Sequence, residues 1–334
     1  MQRIARGGFV LALLALLVPW SASAAGAPTT PTSPVAPPAS GTLRLALGGV
    51  FSLSHRNVTV TGRPLSVTGV ARPFVPGQVV VVKIRSGRRL VKSGMFRLKP
   101  SRNGTYGTFS IRFSSGSARN LSITAVHAAT PQLVHVAAAS QKVDVVVPRA
   151  GPGSTGMFVS LIQSRLAALH YAVPHDGVYD QLTQNAVLAY RKVRGWNRIF
   201  TLDGRVIHGL LTGVGTFRVR YPNQGSHVEA DLTNQTLALI HGSKVFRIYP
   251  ISSGKPSTPT VLGTYHVYLR TPGYLPDGMY YSSFFTGGYA IHGYNPSPTY
   301  PASHGCLRLP IDDAISVFNW IHYGTPVDVY SGQN

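Results

Sequence analysis

AIHGYNPSPTYPASHGCLRLP, residues 290–310, holds the chain's single cysteine. Cys306 closes the run Ser303-His304-Gly305-Cys306, and a His292-Gly293 pair lies upstream. A thiol with a pKa near ~8.5 is only partly ionised at neutral pH. An imidazole beside it can take the proton and leave an ion pair, because its own pKa of about 6.5 lies close to working pH. Such a base needs an acceptor on its other ring nitrogen to fix its tautomer. His292 and His304 both compete for that role. His304 is nearer in sequence, but adjacent residues on an extended strand point apart, so nearness says little. Gly305 permits a sharp turn, and the N–H groups of Gly305 and Cys306 are the natural donors to a developing oxyanion.

Upstream, SSGKPSTPTVLGTYHV at 252–267 contributes Gly254, Lys255, Thr258, Pro259, Gly263 and Tyr265 at spaced positions. Together with His292-Gly293 and Ser303-His304-Gly305-Cys306, this resembles the signature of the L,D-transpeptidase family, the YkuD fold. The resemblance covers 226–330. It implies a mostly-β catalytic domain with one long helix, Cys306 as nucleophile and His292 as base. It also implies the Gly293 carbonyl as the acceptor for His292, with His304 supporting the loop or touching substrate. The absence of Asp or Glu near either histidine in sequence agrees with a carbonyl in that role. The spacer between His292 and Ser303 is shorter than is usual in the family, and Arg308 stands where many members have Asn. Tyr294 and Tyr300 in the loop, Tyr281 in the preceding aromatic cluster and Arg308 are candidate substrate contacts. For Tyr281 strand packing is an equal alternative, and for Arg308 a solvated surface charge.

The implied activity is acyl transfer on peptidoglycan: a cysteine thioester formed on a tetrapeptide stem, then a 3→3 cross-link. Two other readings stay open, an L,D-carboxypeptidase with water as acceptor and a non-catalytic wall-binding protein. No cofactor is implied. His208, His241, His266 and His322 show no metal-ligand spacing with acidic partners, so no metal site is expected.

The flanking segments have different periods. Residues 43–150 alternate in short runs such as Val58–Thr61, Val79–Ile84, Phe109–Phe113 and Leu121–Val126, with turn residues between. This predicts a β-sandwich, in pattern an immunoglobulin-like one. Residues 154–213 switch to a helical period, with Phe158, Leu161, Ile162, Leu166 and Leu169 on one face and Asp180 as N-cap of a second helix. Gln163, Leu166, Leu169, Tyr171, Asp176, Gly177, Tyr179, Thr183, Ala186, Val187 and Tyr190 resemble the small three-helix peptidoglycan-binding domain. Residues 216–331 return to strands, with a helix starting near Pro310.

Arg3 and Arg6 precede an apolar run from Phe9 to Val18, and Ala22-Ser23-Ala24 offers small residues for cleavage. This predicts a signal peptide over 1–25, cleaved near Ala24, and a secreted protein of the cell wall or periplasm-equivalent space, without a stable membrane span once mature. Residues 26–42 read as a Pro/Ser/Thr linker. The net charge of +21 favours anionic surroundings. The expected partners are peptidoglycan stem peptides, glycan and anionic wall polymers. With no nucleic-acid module in view, nucleic acid is not expected.

Overall fold

A computed structural model describes residues 36–332. The expected signal peptide and most of the linker lie outside the described residues. Eleven strands come first: β1 (Thr42–Gly48), β2 (Phe51–Leu53), β3 (Arg56–Val60), β4 (Leu65–Arg72), β5 (Val79–Ser86), β6 (Arg89–Arg97), β7 (Lys99–Pro100), β8 (Gly107–Phe113), β9 (Arg119–His127), β10 (Val136–Ala137) and β11 (Gln141–Val146). In β4 and β9 alternate side chains are buried, as expected of strands with one face on a core. One sheet has the order β1-β4-β8-β7, and the other β2-β3-β11-β9-β5-β6 with β10 beside β9. Leu65, Val67 and Phe109 of the first share a core with Val80, Ile84, Leu121 and Ile123 of the second. Backbone pairing, which composition does not report, reaches into the expected linker: β1 starts at Thr42, and Ala39 bridges Leu133.

Three helices follow, α1 (Met157–Ala168), α2 (Gln181–Val193) and α3 (Gly204–Thr212). Asp180 Oδ1 accepts from Thr183 N at 2.8 Å, and Asp203 Oδ1 from Val206 N at 2.9 Å. Each satisfies an orphan N–H of the first turn. The buried Gln163 amide ties the unit together. Its Nε2 donates to Asp176 Oδ1, Val178 O and Thr183 Oγ1, and its Oε1 accepts from Gly177 N. Residues that carry the resemblance to a glycan-binding module therefore build the module's own interior.

This helical unit is wedged between its neighbours. Val58 and Val60 on one side, and Ala238, Ile240 and Ile248 on the other, belong to its core. Lys192 Nζ, fully buried, donates to Ile251 O at 2.7 Å, and burial pulls its amine down to about 7.

The last unit comprises β12 (Ser226–Asp231), β13 (Thr236–His241), β14 (Lys244–Pro250), β15 (Gly263–His266), β16 (Leu269–Tyr274), β17 (Tyr280–Thr286), β18 (Tyr289–Tyr294), β19 (Leu307–Pro310), α4 (Ile311–Trp320) and β20 (Pro326–Tyr330). A five-stranded sheet, β14-β13-β12-β20-β15, and a four-stranded sheet, β16-β17-β18-β19, share a core. Val317 and Ile321 at the α4 end join it. The expected long helix is 10 residues, shorter than α1 and α2. Ile321 leaves the helix in extended conformation and ends it. The run Thr264–Leu269 divides between the two sheets at Val267, whose side chain turns into the core between them. Among the described residues, no helix is long and apolar enough to cross a membrane.

Candidate active site

The site lies on the parallel pair β18–β19. Ile291 faces Leu307 and His292 faces Arg308. Ile291, Leu307 and Leu309 point into the core. Strand alternation therefore puts His292, Tyr294, Cys306 and Arg308 on the opposite face. Gly293 lies on the core side, where an added Cβ would stand 2.6 Å from Ala314 Cβ, so this glycine lets α4 close against β18.

His292 is 2% exposed, and its Nδ1 lies 2.9 Å from Gly293 O. An N–H donated there leaves Nε2 as the nitrogen with the free lone pair. Burial pushes the His292 pKa down to about 4, against an opposing pull from the Gly293 carbonyl; the Arg308 charge lowers it further. Burial raises the Cys306 thiol, while the Ala290 main chain and Arg308 favour the thiolate. Cys306 Sγ has Gly288 O as an acceptor at 3.7 Å. The resting pair is thus a neutral thiol and a neutral imidazole rather than the ion pair expected from ordinary pKa values. Desolvation is the reason, since it disfavours both charged forms.

Ser303 shapes the turn that leads into Cys306. Its buried Oγ donates to Cys306 O at 2.6 Å and accepts from Gly305 N at 3.0 Å. The Gly305 N–H is thereby engaged within the turn, which leaves Cys306 N–H of the two expected oxyanion donors. Gly305 itself has φ +122, and an added Cβ would fall 1.8 Å from the Tyr289 ring. The segment after β14 braces this turn from below. Ser253 O accepts from Ala302 N and Ser303 N, and Lys255 N and Thr258 Oγ1 donate to Ser303 O. Ser253 is held in turn by the buried Gln235 amide.

The remaining candidates separate. His304 is exposed, with its Nε2 3.3 Å from Lys255 Nζ, and so faces away from the strand pair. Arg308 stacks its guanidinium 3.9 Å from the Tyr294 ring centre, and Tyr294 meets His292 edge-on. These two are brought to the site. Tyr300 is 61% exposed and anchored by its carbonyl, which accepts from Ser252 Oγ. Tyr281 is not brought to the site. A bulge in β17 gives it φ 51, and its ring meets Phe318 on α4, on the core side of the sheet. Sequence reading missed Gln235 and Ser253, whose roles depend on a fold-back no local pattern encodes. It also missed Asn185 of α2, which donates to the buried Asp313 of α4 at 3.3 Å and joins the helical unit to the last one.

The model of the YkuD family, the L,D-transpeptidase catalytic domain, matches residues 225–329. This segment is a YkuD-type L,D-transpeptidase catalytic domain. The YkuD protein of Bacillus subtilis is 34% identical over 107 residues, covering 31% of this chain and 65% of the relative. L,D-transpeptidase 1 of Mycobacterium tuberculosis is 26% identical over 121 residues, covering 30% of this chain and 48% of the relative. The chain therefore spans less than two thirds of the curated relatives it matches. An L,D-transpeptidase crystal structure from Xylanimonas cellulosilytica is 32% identical, covers 54% of this chain and 97% of its own, and superposes with a TM-score of 0.49. The transpeptidase domain thus accounts for the β18–β19 face, while the sandwich and helical unit lie outside the family match.

Proposed function

We propose that the protein is a peptidoglycan L,D-transpeptidase that forms 3→3 cross-links through a Cys306 thioester. One observation carries this reading: the buried His292, its Nδ1 fixed on Gly293 O, shares a face with Cys306 and Arg308. Cys306 Sγ attacks the carbonyl carbon of the stem's third, diamino-acid residue while its proton passes to His292 Nε2. The Cys306 N–H faces the developing oxyanion. The tetrahedral intermediate collapses by breaking the C–N bond to terminal D-alanine, which leaves with the proton from His292. A side-chain amine of a second stem then attacks the thioester and gives its proton to His292. The sulfur departs and recovers that proton. Low basicity at His292 keeps the imidazole neutral and ready to accept a proton at neutral pH. Arg308, held by Tyr294, supplies positive charge for a stem carboxylate.

The rest of the chain serves delivery in this reading. An export signal places the protein outside the cytoplasm. The helical unit contacts glycan, and the net charge of +21 draws the protein to anionic wall polymers. The deciding experiment incubates the purified protein with disaccharide-tetrapeptide and reads the products by mass spectrometry. Cross-linked dimer is expected, with none from Cys306→Ala. Tripeptide monomer alone would make water the acceptor, and unchanged substrate would leave a wall-binding protein.

A further inference from the structure

The positive charge of this protein is not spread evenly. Between residues 42 and 146 there are fifteen Lys and Arg and one acidic residue, Asp144, so fourteen of the twenty-one net charges belong to the sandwich. The transpeptidase segment, 216–331, has seven Lys and Arg against six acidic residues. Recognition of an anionic stem does not require this arrangement, because the surplus sits in the other unit.

Arg56, Lys83, Arg85 and Lys142 lie on the outer face of the larger sheet. A groove of about 690 Å³ is lined there by Arg56, Asn57, Asn120, Ser122, Ser140 and Lys142, with Asp144 and His55 at its side. Register aligns the basic groups. Lys142 of β11 lies opposite Ser122 of β9, and Ser122 lies opposite Arg85 of β5. Lys83 occupies the same face two residues along β5, opposite Thr124. Neighbouring strands are about 4.8 Å apart, so Lys142 and Arg85 stand roughly 10 Å apart across the rung. That span exceeds one phosphate group and suits charges repeated along a chain. Asp144 holds Arg56 Nε at 2.8 Å and fixes the guanidinium at the groove wall. The Ser122 and Ser140 hydroxyls, 2.9 Å apart, and the amides of Asn57 and Asn120 add neutral donors between the cations. Arginine forks with hydroxyl and amide donors match tetrahedral oxyanions that offer several acceptor oxygens.

We infer that the sandwich is a polyanion-binding module, and that the outer groove at Arg56 and Lys142, together with Arg85 and Lys83 beside it on the same sheet face, holds a linear chain of phosphodiester groups. This goes beyond the catalytic reading and does not depend on it. The module would keep the enzyme on a phosphate-rich matrix while the β18–β19 face works on stems.

Binding of lipid-free poly(glycerol phosphate) to the full chain, followed by calorimetry, tests the inference. Arg85→Gln with Lys142→Gln should weaken binding about tenfold or more at moderate salt, through two lost phosphate contacts. Arg44→Gln with Arg112→Gln removes equal charge from exposed positions on the opposite sheet and should change binding about twofold or less. Equal losses from the two pairs would overturn the groove in favour of diffuse attraction. Tighter binding to phosphatidylglycerol vesicles than to the polymer would overturn the choice of partner. In the unaltered protein, the polymer should protect Lys83 and Lys142 from acetylation but leave exposed Lys244 reactive; uniform protection would also refute the site. Turnover of soluble disaccharide-tetrapeptide should be the same in both variants, separating this test from the catalytic one.

Discussion

The sandwich and the transpeptidase domain are both built from strands, yet they place polar groups in opposite ways. The sandwich buries few, among them Thr59, Gln78 and His127, and keeps its many cations at the surface. The transpeptidase domain buries His227, Glu229, Gln235, Ser252, Ser253, His292, Ser303, Asp313 and Asp328. A buried polar group needs a particular partner in a particular place, and losing the partner leaves the whole desolvation penalty. An exposed charge on a sheet face needs none. The candidate site therefore lies where substitution is least tolerated, and the charge where substitution is most tolerated.

Replacing the buried His292, the proposed base, gives the sharpest contrast. His292→Ala should lower kcat/KM by roughly 10²–10⁴-fold, the usual contribution of a general base. His304→Ala should leave it near the starting value, because that ring faces Lys255. The pH profile is a second handle. His292 must be neutral to accept a proton, so activity should fall only as pH drops through about 4. An acid limb near the ordinary histidine value would mean that burial does not set this group.

Gly305→Ala attacks the same site through geometry. The new side chain meets both a φ of +122 and the Tyr289 ring. Backbone strain and overlap each cost about 1–3 kcal/mol. A clear fall in melting temperature together with loss of most activity is expected. Preserved activity would show that the turn before Cys306 has room to spare.

The seam between α2 and α4 should show itself as pH-dependent stability. Burial, with the Asp312 charge adding to it, raises the Asp313 carboxyl to about 8. Between its model value of 3.8 and about 8 the folded protein holds a proton that the unfolded chain has released. Stability from this group is full below pH 3.8 and declines as pH rises through about 8. Asp313→Asn removes the titration while keeping an acceptor for Asn185. The variant should gain in melting temperature over the parent as pH rises from 4 to 8. Parallel curves would mean that Asp313 titrates normally.

The smallest effect belongs to the sandwich surface. Arg44→Gln and Arg112→Gln, on exposed strand positions, should each shift unfolding free energy by less than about 0.5 kcal/mol. Larger losses would break the contrast between the two units.

Sequence alone determined the local features. Alternation marked the strands, the Asp180 cap marked the start of α2, and the His292 and Cys306 segments marked the candidate site. These depend on neighbours within a few residues, where backbone period and side-chain type act directly. Tertiary structure alone decided the rest. It paired β18 with β19 in parallel, turned Tyr281 toward α4, engaged the Gly305 N–H with Ser303, and set Asn185 against Asp313. It also decided the protonation of the pair: the same histidine and cysteine are neutral here because the folded chain removes water from around them. Desolvation and close packing depend on what distant segments bring to a residue, and no local pattern carries that information.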